Sequence, residues 1–439
     1  MKKFSPSQML VLSFLLAIFV GAILLMLPFS TETGETTSFV DALFTSTSAV
    51  CVTGLIVKDT PHYFSTFGEI VIVLLIQIGG VGIMTFSTII ALLLGRRIGL
   101  RQQLLIKEDL NRVGLGDIIV LLKYVFILTL GVEFIGAILL FLRWWHVGIW
   151  SIGYCAYLAV FHAVSAFCNA GFSLFSNSLE GFSGDIVISG TVGLLIILGG
   201  IGYGVIYECI RFRKQRSLSL HAKIVLIMTA ILLVGGGIVI FFCEYSNPET
   251  MSGKPLMEKI LIAGFQSLTP RTAGFNTVPI NSMRPASQYL LMGMMFIGAC
   301  PGSTGGGIKA TTFLILLLFL WFTLQGKGSV VFFKRTISRD MVNRSLLLTQ
   351  LSFLAIALFV FTLLLTESFS MKAIMFEAIS AFGTVGLSLG ITFDLSVAGK
   401  LLITVLMFVG RVGPLALVFS MVSSKDPAVS FPEEKVMVG

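Results

Sequence analysis

Long apolar segments alternate with shorter half-polar segments along the whole chain. Eight segments have the length and apolarity to cross a bilayer, which takes about 20 mostly apolar residues. They cover residues 8–29, 69–94, 118–142, 184–208, 223–243, 287–323, 346–366 and 398–421. Each odd-numbered segment is followed by a half-polar stretch that is too short to cross. The pattern predicts eight spanning helices and four re-entrant segments.

The four half-polar stretches resemble one another in sequence. They read FTSTSAVCVTGL (44–55), FHAVSAFCNAGF (161–172), FQSLTPRTAGF (265–275) and FEAISAFGTVGL (376–387). A second similarity follows in the next apolar segment, as IGGVG (78–82), LGGIG (198–202), IGACPG (297–302) and VGRVG (409–413). Two landmarks that recur in the same order indicate an internal repeat. The repeated unit is a helix, a re-entrant loop and a second helix.

We therefore predict an all-α polytopic membrane protein whose four repeats surround a pseudo-fourfold central pore. The repeats cover residues 1–95, 96–208, 209–325 and 326–439, with pore loops at 40–56, 156–173, 258–276 and 373–388. The fourth repeat also carries a C-terminal tail. Each pore loop is expected to contain a short re-entrant pore helix.

Composition supports the membrane class. The chain is 56% hydrophobic and 12% charged, whereas a soluble domain has about 25% charged residues. The net charge of +8 comes largely from Lys and Arg in 95–117, 209–223 and 324–345. Such loops are typically cytoplasmic, so both termini are predicted inside and the pore loops enter from outside. We predict no nucleic-acid partner.

The glycine-ended loops suggest an ion pathway. Open backbone at membrane depth is tolerated only inside protein or beside a water-filled cavity. Four loops meeting on one axis could replace an ion's hydration shell with carbonyl oxygens, as in K⁺ channels, and glycine's missing Cβ permits the required backbone. The predicted K⁺ filter residues are Val52, Thr53, Gly54, Asn169, Ala170, Gly171, Thr272, Ala273, Gly274, Thr384, Val385 and Gly386.

The glycines and the chain as a whole also allow other interpretations. Small residues also serve close helix packing, which we favour for Gly79, Gly80, Gly82, Gly199, Gly200 and Gly202. A solute symporter with a midplane site would have inverted repeats, whereas these four share one orientation. A membrane enzyme is disfavoured because no catalytic cluster or metal-ligand spacing is present.

Two features break the fourfold pattern. The second helix of the third repeat is interrupted at 298–307, where we predict a gating loop formed by Gly298, Pro301, Gly302, Ser303, Thr304, Gly305, Gly306 and Gly307. A static helix break is the alternative. Arg411 stands where the other repeats have Gly80, Gly200 and Ala299. A mid-membrane Arg costs about 2.5–3.5 kcal/mol on insertion scales.

We expect Arg411 to face the pore and to pair with carbonyls of 298–307, where its charge would be a barrier on the ion path. The alternative is an Arg that extends to the membrane surface. Three other polar residues, Glu133, His162 and Glu377, have either an ionic role or a packing role, and the sequence leaves that choice open.

The chain resembles the Trk/Ktr/HKT superfamily of potassium transporters over essentially its whole length, and within it the bacterial Ktr-type membrane subunits. The motifs are TPRTAGFN (269–276), SAFGTVGL (380–387), the Gly-rich break before Ile308-Lys309, and GRVGP (410–414). The resemblance implies a filter at Gly54, Gly171, Gly274 and Gly386 and a pore arginine at Arg411. Sodium-selective plant relatives carry Ser at the first of these positions, so Gly54 implies potassium.

The resemblance has further implications for location and partners. It implies K⁺ uptake across a bacterial plasma membrane, with Na⁺ dependence left open. It also implies a homodimer in the lipid bilayer, each protomer with its own pore, docked on a cytosolic ring of nucleotide-binding regulatory subunits of the RCK/KTN type. The chain has no dinucleotide or P-loop motif, so a nucleotide would be bound by the partner. The 298–307 stretch is richer in Gly than the corresponding stretch of some relatives.

Overall fold

The computed structural model describes residues 6–82, 118–414 and Leu417. Its helices are α1 (Pro6–Leu25), α2 (Phe39–Val50), α3 (Thr60–Tyr63), α4 (Thr66–Val81), α5 (Ile118–Val147), α6 (Ile152–Phe167), α7 (Ile186–Ile201), α8 (Tyr203–Gln215), α9 (Leu220–Glu244), α10 (Leu256–Leu268), α11 (Pro285–Phe296), α12 (Ala310–Leu324), α13 (Arg339–Thr366), α14 (Met371–Gly383) and α15 (Val397–Val412). Strands β1 (Val330–Phe332) and β2 (Arg335–Ile337) form an antiparallel hairpin.

Four units of the same design follow one another along the chain. Each has a long first helix (α1, α5, α9, α13), a short pore helix (α2, α6, α10, α14) and a second helix (α4, α7, α11, α15). Among the described residues, the four first helices are the ones that are individually long and apolar enough to cross a membrane. The predicted architecture of four helix–pore helix–helix repeats is therefore confirmed.

The pore helices begin at side-chain caps in three of the four repeats. Ser38, Ser151 and Ser370 accept hydrogen bonds from the backbone N–H three residues later, which satisfies a donor that has no partner within the helix. The third pore helix instead follows Pro255. We call the side of the molecule at which the pore helices begin the entry side. Each helix runs from there toward the interior.

The second helices are shorter than the apolar pattern predicts. Single helices were expected over 69–94, 184–208 and 398–421, whereas α4, α7 and α15 end just before Gly82, Gly202 and Gly413. These glycines have φ values of +89°, +100° and +89°, in the left-handed region that helices do not continue through. After Gly202 the chain turns by 101° into α8.

The remainder of the segments predicted at 69–94 and 398–421 falls largely outside the described residues, as do the basic segment 95–117 and nearly all of the C-terminal tail. In the third repeat the chain is non-helical between Phe296 and Ala310. A break at this level is therefore common to all four second helices. The break in the third repeat is longer than that in the second, where Gly202 alone separates α7 from α8.

Polar contacts join neighbouring repeats into a closed arrangement. The hydroxyl of Tyr157 donates to Glu69, 2.5 Å away, between repeats two and one. Ser183 donates to Glu258 at 2.8 Å between repeats two and three. The ammonium of Lys372 donates to Gln288 at 3.0 Å, and that of Lys400 donates to Asp41 at 2.7 Å. The last contact joins the fourth repeat to the first.

The third repeat contains a fully buried carboxylate at the end of its first helix. Glu244 accepts hydrogen bonds from Asn247 (2.6 Å), Thr250 (2.8 Å) and the backbone N–H of Arg284 (2.9 Å), and also from the hydroxyl of Ser287. Both carboxylate oxygens therefore face donors only. The residue fixes the start of α11 against the end of α9.

Replacing Glu244 with Gln is expected to lower the free energy of unfolding by about 3 kcal/mol, because the new NH₂ group would face existing donors whichever way it turns. Thermal denaturation of the detergent-purified protein measures the effect. The matched control is Glu249→Gln, since Glu249 lies in the same connection and is exposed. Equal melting temperatures for the two variants would contradict this role for Glu244.

Candidate functional site

The four predicted filter segments share an unusual backbone. The first residue of each triplet is left-handed, with φ of +57° at Val52, +59° at Asn169, +69° at Thr272 and +50° at Thr384. The glycine two residues later is also left-handed in every repeat, at +89°, +71°, +76° and +91°. A β-branched residue such as Val52 rarely adopts this conformation. Its surroundings must therefore hold it there.

The four glycines form a closed ring of contacts. A Cβ added to Gly54 would collide with the carbonyl oxygen of Ala170, one added to Gly171 would lie 2.8 Å from the carbonyl oxygen of Ala273, and one added to Gly274 would lie 2.5 Å from that of Val385. A Cβ on Gly386 would collide with the carbonyl oxygen of Thr53, in the first repeat. Each glycine thus contacts the middle residue of the next triplet. We call the twelve residues of the four triplets the ring.

A hydroxyl at a fixed position supports every ring segment. Ser48, Ser165, Thr269 and Ser380 each accept, through their backbone carbonyl, the N–H of the middle ring residue at 2.7–2.9 Å. The hydroxyls of Ser48 and Ser380 accept the N–H of the ring glycine, at 3.0 and 3.1 Å. Those of Ser165 and Thr269 donate to the carbonyl after the glycine, at 2.7 and 2.5 Å.

Sequence reasoning missed these hydroxyls. A usable signal was present, because Ser or Thr occupies the fifth position of all four aligned stretches. Their role is to satisfy backbone groups that would otherwise be buried without partners. The same bonds hold the segment in its left-handed conformation.

The second helices pack closely against the ends of the pore helices. A Cβ at Gly79, Gly199 or Gly410 would collide with the carbonyl oxygen of Val50, Phe167 or Phe382, respectively. These carbonyls lie at the C-terminal ends of α2, α6 and α14, which carry the partial negative charge of the helix dipole. These contacts agree with the close helix packing that the sequence predicts for Gly79 and Gly199. The dipole ends make the ring favourable to a cation.

The segment 298–307 lies against the ring on the side away from the entry. The N–H of Gly306 donates to the hydroxyl of Thr384 at 3.0 Å, and Gly305 packs on the side chain of Thr272. The N–H of Thr304 donates to the carbonyl of Gly199 at 3.2 Å, and that of Gly307 to the carbonyl of Gly410 at 3.4 Å. The segment thus contacts the second, third and fourth repeats.

Arg411 connects the same segment to the first repeat. Its guanidinium donates to the carbonyl oxygen of Thr304 and, through the other terminal nitrogen, to that of Gly79. The side chain is half-buried at the end of α15. A guanidinium can bridge two acceptors because its donors have a fixed, planar arrangement. Arg411 therefore lies beneath the ring with the 298–307 segment as its partner.

Two further cations lie near this segment. Lys309 donates to the carbonyl of Gly305 at 2.7 Å. Arg271, which precedes the ring residue Thr272, is buried and donates to Thr229 at 3.2 Å and to the sulfur of Cys300 at 3.5 Å. Sequence reasoning did not single out Arg271. The contact with Cys300 joins the third ring segment directly to the 298–307 segment.

Glu133 lies outside the ring. Its carboxylate accepts from Gln77 at 3.3 Å and lies 3.9 Å from the sulfur of Cys168, the residue before Asn169. This arrangement joins α5 to α4 and to the end of α6. Among the described residues, His, Cys, Asp and Glu side chains form no group of three that could hold a metal ion. The oxygens available at the ring are backbone carbonyls, hydroxyls and the side-chain amide oxygen of Asn169.

The chain that leaves the third ring segment is bonded to the second repeat. Asn276 donates through its side chain to Glu180 at 2.7 Å, and its carbonyl accepts the N–H of Leu179 at 3.0 Å. Burial raises the pKa of Glu180 above its usual value, and the hydrogen bond from Asn276 offsets only part of this rise. The connection between α6 and α7 thereby fixes the chain just after Gly274.

A helical bundle with four re-entrant loops that meet in a ring of backbone carbonyls defines the class of polytopic membrane transporters for small cations. Residues 4–428 match the family model TrkH, described as "Cation transport protein". The chain belongs to the TrkH family. It is therefore a multi-pass membrane protein of a transporter family and not an enzyme.

The chain is similar to several known transport proteins. The chain is 42% identical to the Ktr system potassium uptake protein B of Bacillus subtilis, with 100% of this chain and 97% of that protein covered. It is 37% identical to the potassium/sodium uptake protein NtpJ of Enterococcus hirae, with 100% and 98% covered. The crystal structure of the potassium transporter TrkH from Vibrio parahaemolyticus has a TM-score of 0.72 at 19% identity and covers 93% of this chain and 84% of that one. This last similarity concerns the fold.

Proposed function

We propose that this chain is the membrane subunit of a potassium uptake system and that K⁺ passes through the ring. The observation that carries the proposal is the closed set of contacts in which each ring glycine faces a carbonyl of the next repeat. A ring of carbonyl oxygens can replace the hydration shell of K⁺. The names of the relatives from Bacillus subtilis and Enterococcus hirae support potassium as the transported ion.

The 298–307 segment is the proposed gate, with Arg411 as its lock. Two observations support this role. The segment contacts the ring at Thr272 and Thr384, so it covers the exit of the ion path. Arg411 holds it by a backbone carbonyl and adds a positive charge at that point, which opposes the passage of a cation. Opening requires these contacts to break.

Orientation and assembly form part of the same proposal. The entry side faces outward, so the ring receives ions from outside and both termini are cytoplasmic. The repeats keep the bounds 1–95, 96–208, 209–325 and 326–439. Two copies associate as a homodimer on a cytosolic ring of nucleotide-binding regulatory subunits, for which the name "Ktr system" is supporting evidence. Na⁺ dependence is supported by the relative named for potassium and sodium.

Expression in cells that lack K⁺ uptake tests the proposal. Growth on low K⁺ is expected to be restored, and uptake of K⁺ is expected to rise when external Na⁺ is added. The chain is expressed with and without a regulatory subunit. Normal membrane insertion without any K⁺ uptake in either case would refute the proposal, and uptake that is independent of Na⁺ would remove only the Na⁺ dependence.

A further inference from the structure

Three of the four repeats have a side-chain bond that ties the pore helix to the chain leaving the ring. The residue on the helix is the second of each aligned stretch, and its partner stands eleven residues later. The pairs are His162 with Ser173, Gln266 with Thr277, and Glu377 with Ser388. We call His162, Gln266 and Glu377 the braces. The chain between each brace and its partner contains the ring segment.

The brace in the second repeat is held in one tautomer. Nδ1 of His162 lies 2.8 Å from the carbonyl of Leu158, so this nitrogen carries a proton. Nε2 lies 3.0 Å from the hydroxyl of Ser173 and 3.4 Å from the N–H of Leu174, so it accepts. The ring is fully buried and stacks on Phe175 at 4.9 Å. His162 is therefore neutral and positions the chain two residues after Gly171.

The brace in the fourth repeat has more partners. Glu377 is buried and accepts from the hydroxyl of Ser388 at 2.8 Å and from that of Thr392. Ser388 in turn accepts the N–H of Gly390 at 2.9 Å. In the third repeat the bond from Gln266 to Thr277 is 3.4 Å long. Different side chains thus make the same connection, which indicates that the connection matters more than the charge.

The first repeat lacks this bond at the aligned positions, and its pore helix is instead joined to the chain leaving the ring farther along, by the ion pair of Asp41 and Lys58 at 3.9 Å. The corresponding positions are Thr45 and Ile56, and Ile56 has no polar group. The hydroxyl of Thr45 is buried and has no hydrogen-bond partner among the described residues. The hydroxyl of Thr53, in the ring segment itself, also has none among them. The first ring segment therefore lacks the bond beside the ring that the other three have.

We propose that His162, Gln266 and Glu377 are positioning residues that set K⁺ over Na⁺ selectivity by fixing three ring segments, while the first segment adjusts to the ion. This inference rests on the proposed function, because it requires the ring to be the filter. A filter that contracts by a fraction of an ångström can coordinate the smaller Na⁺. Sites that must hold a geometry within about 0.5 Å depend on such supporting bonds.

The first test distinguishes the effect of the Glu377 hydrogen bonds from the effect of its charge. Glu377→Leu removes the bonds and is expected to lower the K⁺/Na⁺ uptake ratio about tenfold, the effect of a lost charged hydrogen bond. Glu377→Gln keeps an acceptor, and the hydroxyl of Ser388 can turn to accept from the amide, so its ratio is expected to stay close to that of the unmodified chain. Thr45→Val is the control without a brace and is expected to leave the ratio unchanged.

Two outcomes would overturn the inference. If Glu377→Gln loses selectivity as Glu377→Leu does, the carboxylate charge acts and not the brace. If Glu377→Leu keeps the ratio, the bond has no role in selectivity. Should that variant fail to reach the membrane, Ser388→Ala removes the same bond from its other end with the loss of one oxygen. An unchanged ratio in Ser388→Ala would then count against the inference.

The second test builds a brace where none exists. The double variant Thr45→Gln with Ile56→Thr places the Gln–Thr pair of the third repeat into the first. Its K⁺/Na⁺ ratio is expected to rise and its maximal uptake rate to fall, because the adjustable segment becomes fixed. Ile56→Thr alone is the control. No change in either quantity would contradict the role given to the first segment.

Failure of this inference differs from failure of the proposed function. If the unmodified chain does not support K⁺ uptake, the proposed function is wrong. If it does, and the brace variants transport with the same K⁺/Na⁺ ratio, only the inference is wrong. Uptake of both ions is measured in the same cells, with membrane abundance determined for each variant.

Discussion

Replacing Gly386 with alanine is expected to abolish selective K⁺ uptake while the protein still inserts in the membrane. The residue has φ +91°, a conformation that costs an L-residue roughly 1–2 kcal/mol. The added Cβ would also collide with the carbonyl oxygen of Thr53 and lie 3.0 Å from the Cα of Gly54. Both are ring atoms of the first repeat. The methyl group therefore displaces the oxygens that would coordinate the ion.

Gly390→Ala provides a matched control for the Gly386 variant. Gly390 lies four residues later with φ +97°, and a Cβ there would meet no atom within 4 Å. The control carries the same backbone strain without the contact in the ring. K⁺ and Na⁺ uptake are measured for both variants at equal membrane abundance. Equal uptake by the two would show that the ring contact is unimportant and would count against the proposed filter.

Replacing Arg411 with alanine is expected to increase K⁺ flux by at least tenfold in the absence of activating conditions. The change removes two charge-assisted bonds, to Thr304 and Gly79, and hydrogen bonds of charged groups are worth about 1.5–3 kcal/mol each. A loss of 1.4 kcal/mol corresponds to about tenfold in an equilibrium. The proposed gate therefore opens more often, and the positive charge on the path is lost.

Arg411→Lys separates the two contributions of this residue. Lysine keeps the charge but is a single point donor and does not reproduce the fixed fork of a guanidinium, so its flux is expected to lie between those of the unmodified chain and Arg411→Ala. Arg143→Ala is the control, because Arg143 pairs with Asp185 away from the ring. If Arg411→Ala has normal K⁺ flux, and this flux depends normally on the regulatory subunit, Arg411 does not hold the gate closed.

The repeat architecture could be predicted from sequence because it depends on local patterns. The length of the apolar segments predicts the long helices, and the stretch that ends in glycine occurs once in each of the four repeats. The breaks at Gly82, Gly202 and Gly413 were not predicted, because small residues are also common in continuous membrane helices and the apolar pattern runs on past them. The positive φ values of these glycines show that the helices end there.

The ring itself could be predicted only in part. Its twelve residues follow from the alignment of the four stretches, but the left-handed conformation of Val52 runs against the preference of a β-branched residue. That conformation is imposed by contacts with Ser48 and the adjoining repeats. The pairing of Arg411 with carbonyls of 298–307 was expected, and Thr304 provides one. Its second acceptor, Gly79, lies in the first repeat, which no local pattern relates to Arg411.

The closed order of contacts has a consequence for biosynthesis. The ring is complete only when Gly386 of the last repeat reaches Thr53 of the first, and the Lys400–Asp41 contact joins the same two repeats. A nascent chain with three inserted repeats lacks one side of the proposed filter and its Arg411. We therefore expect no selective pathway to exist until synthesis is almost finished. The proposed filter and the Arg411 contacts of the proposed gate would then be completed in the same final step of assembly, and no pore would conduct before it can close.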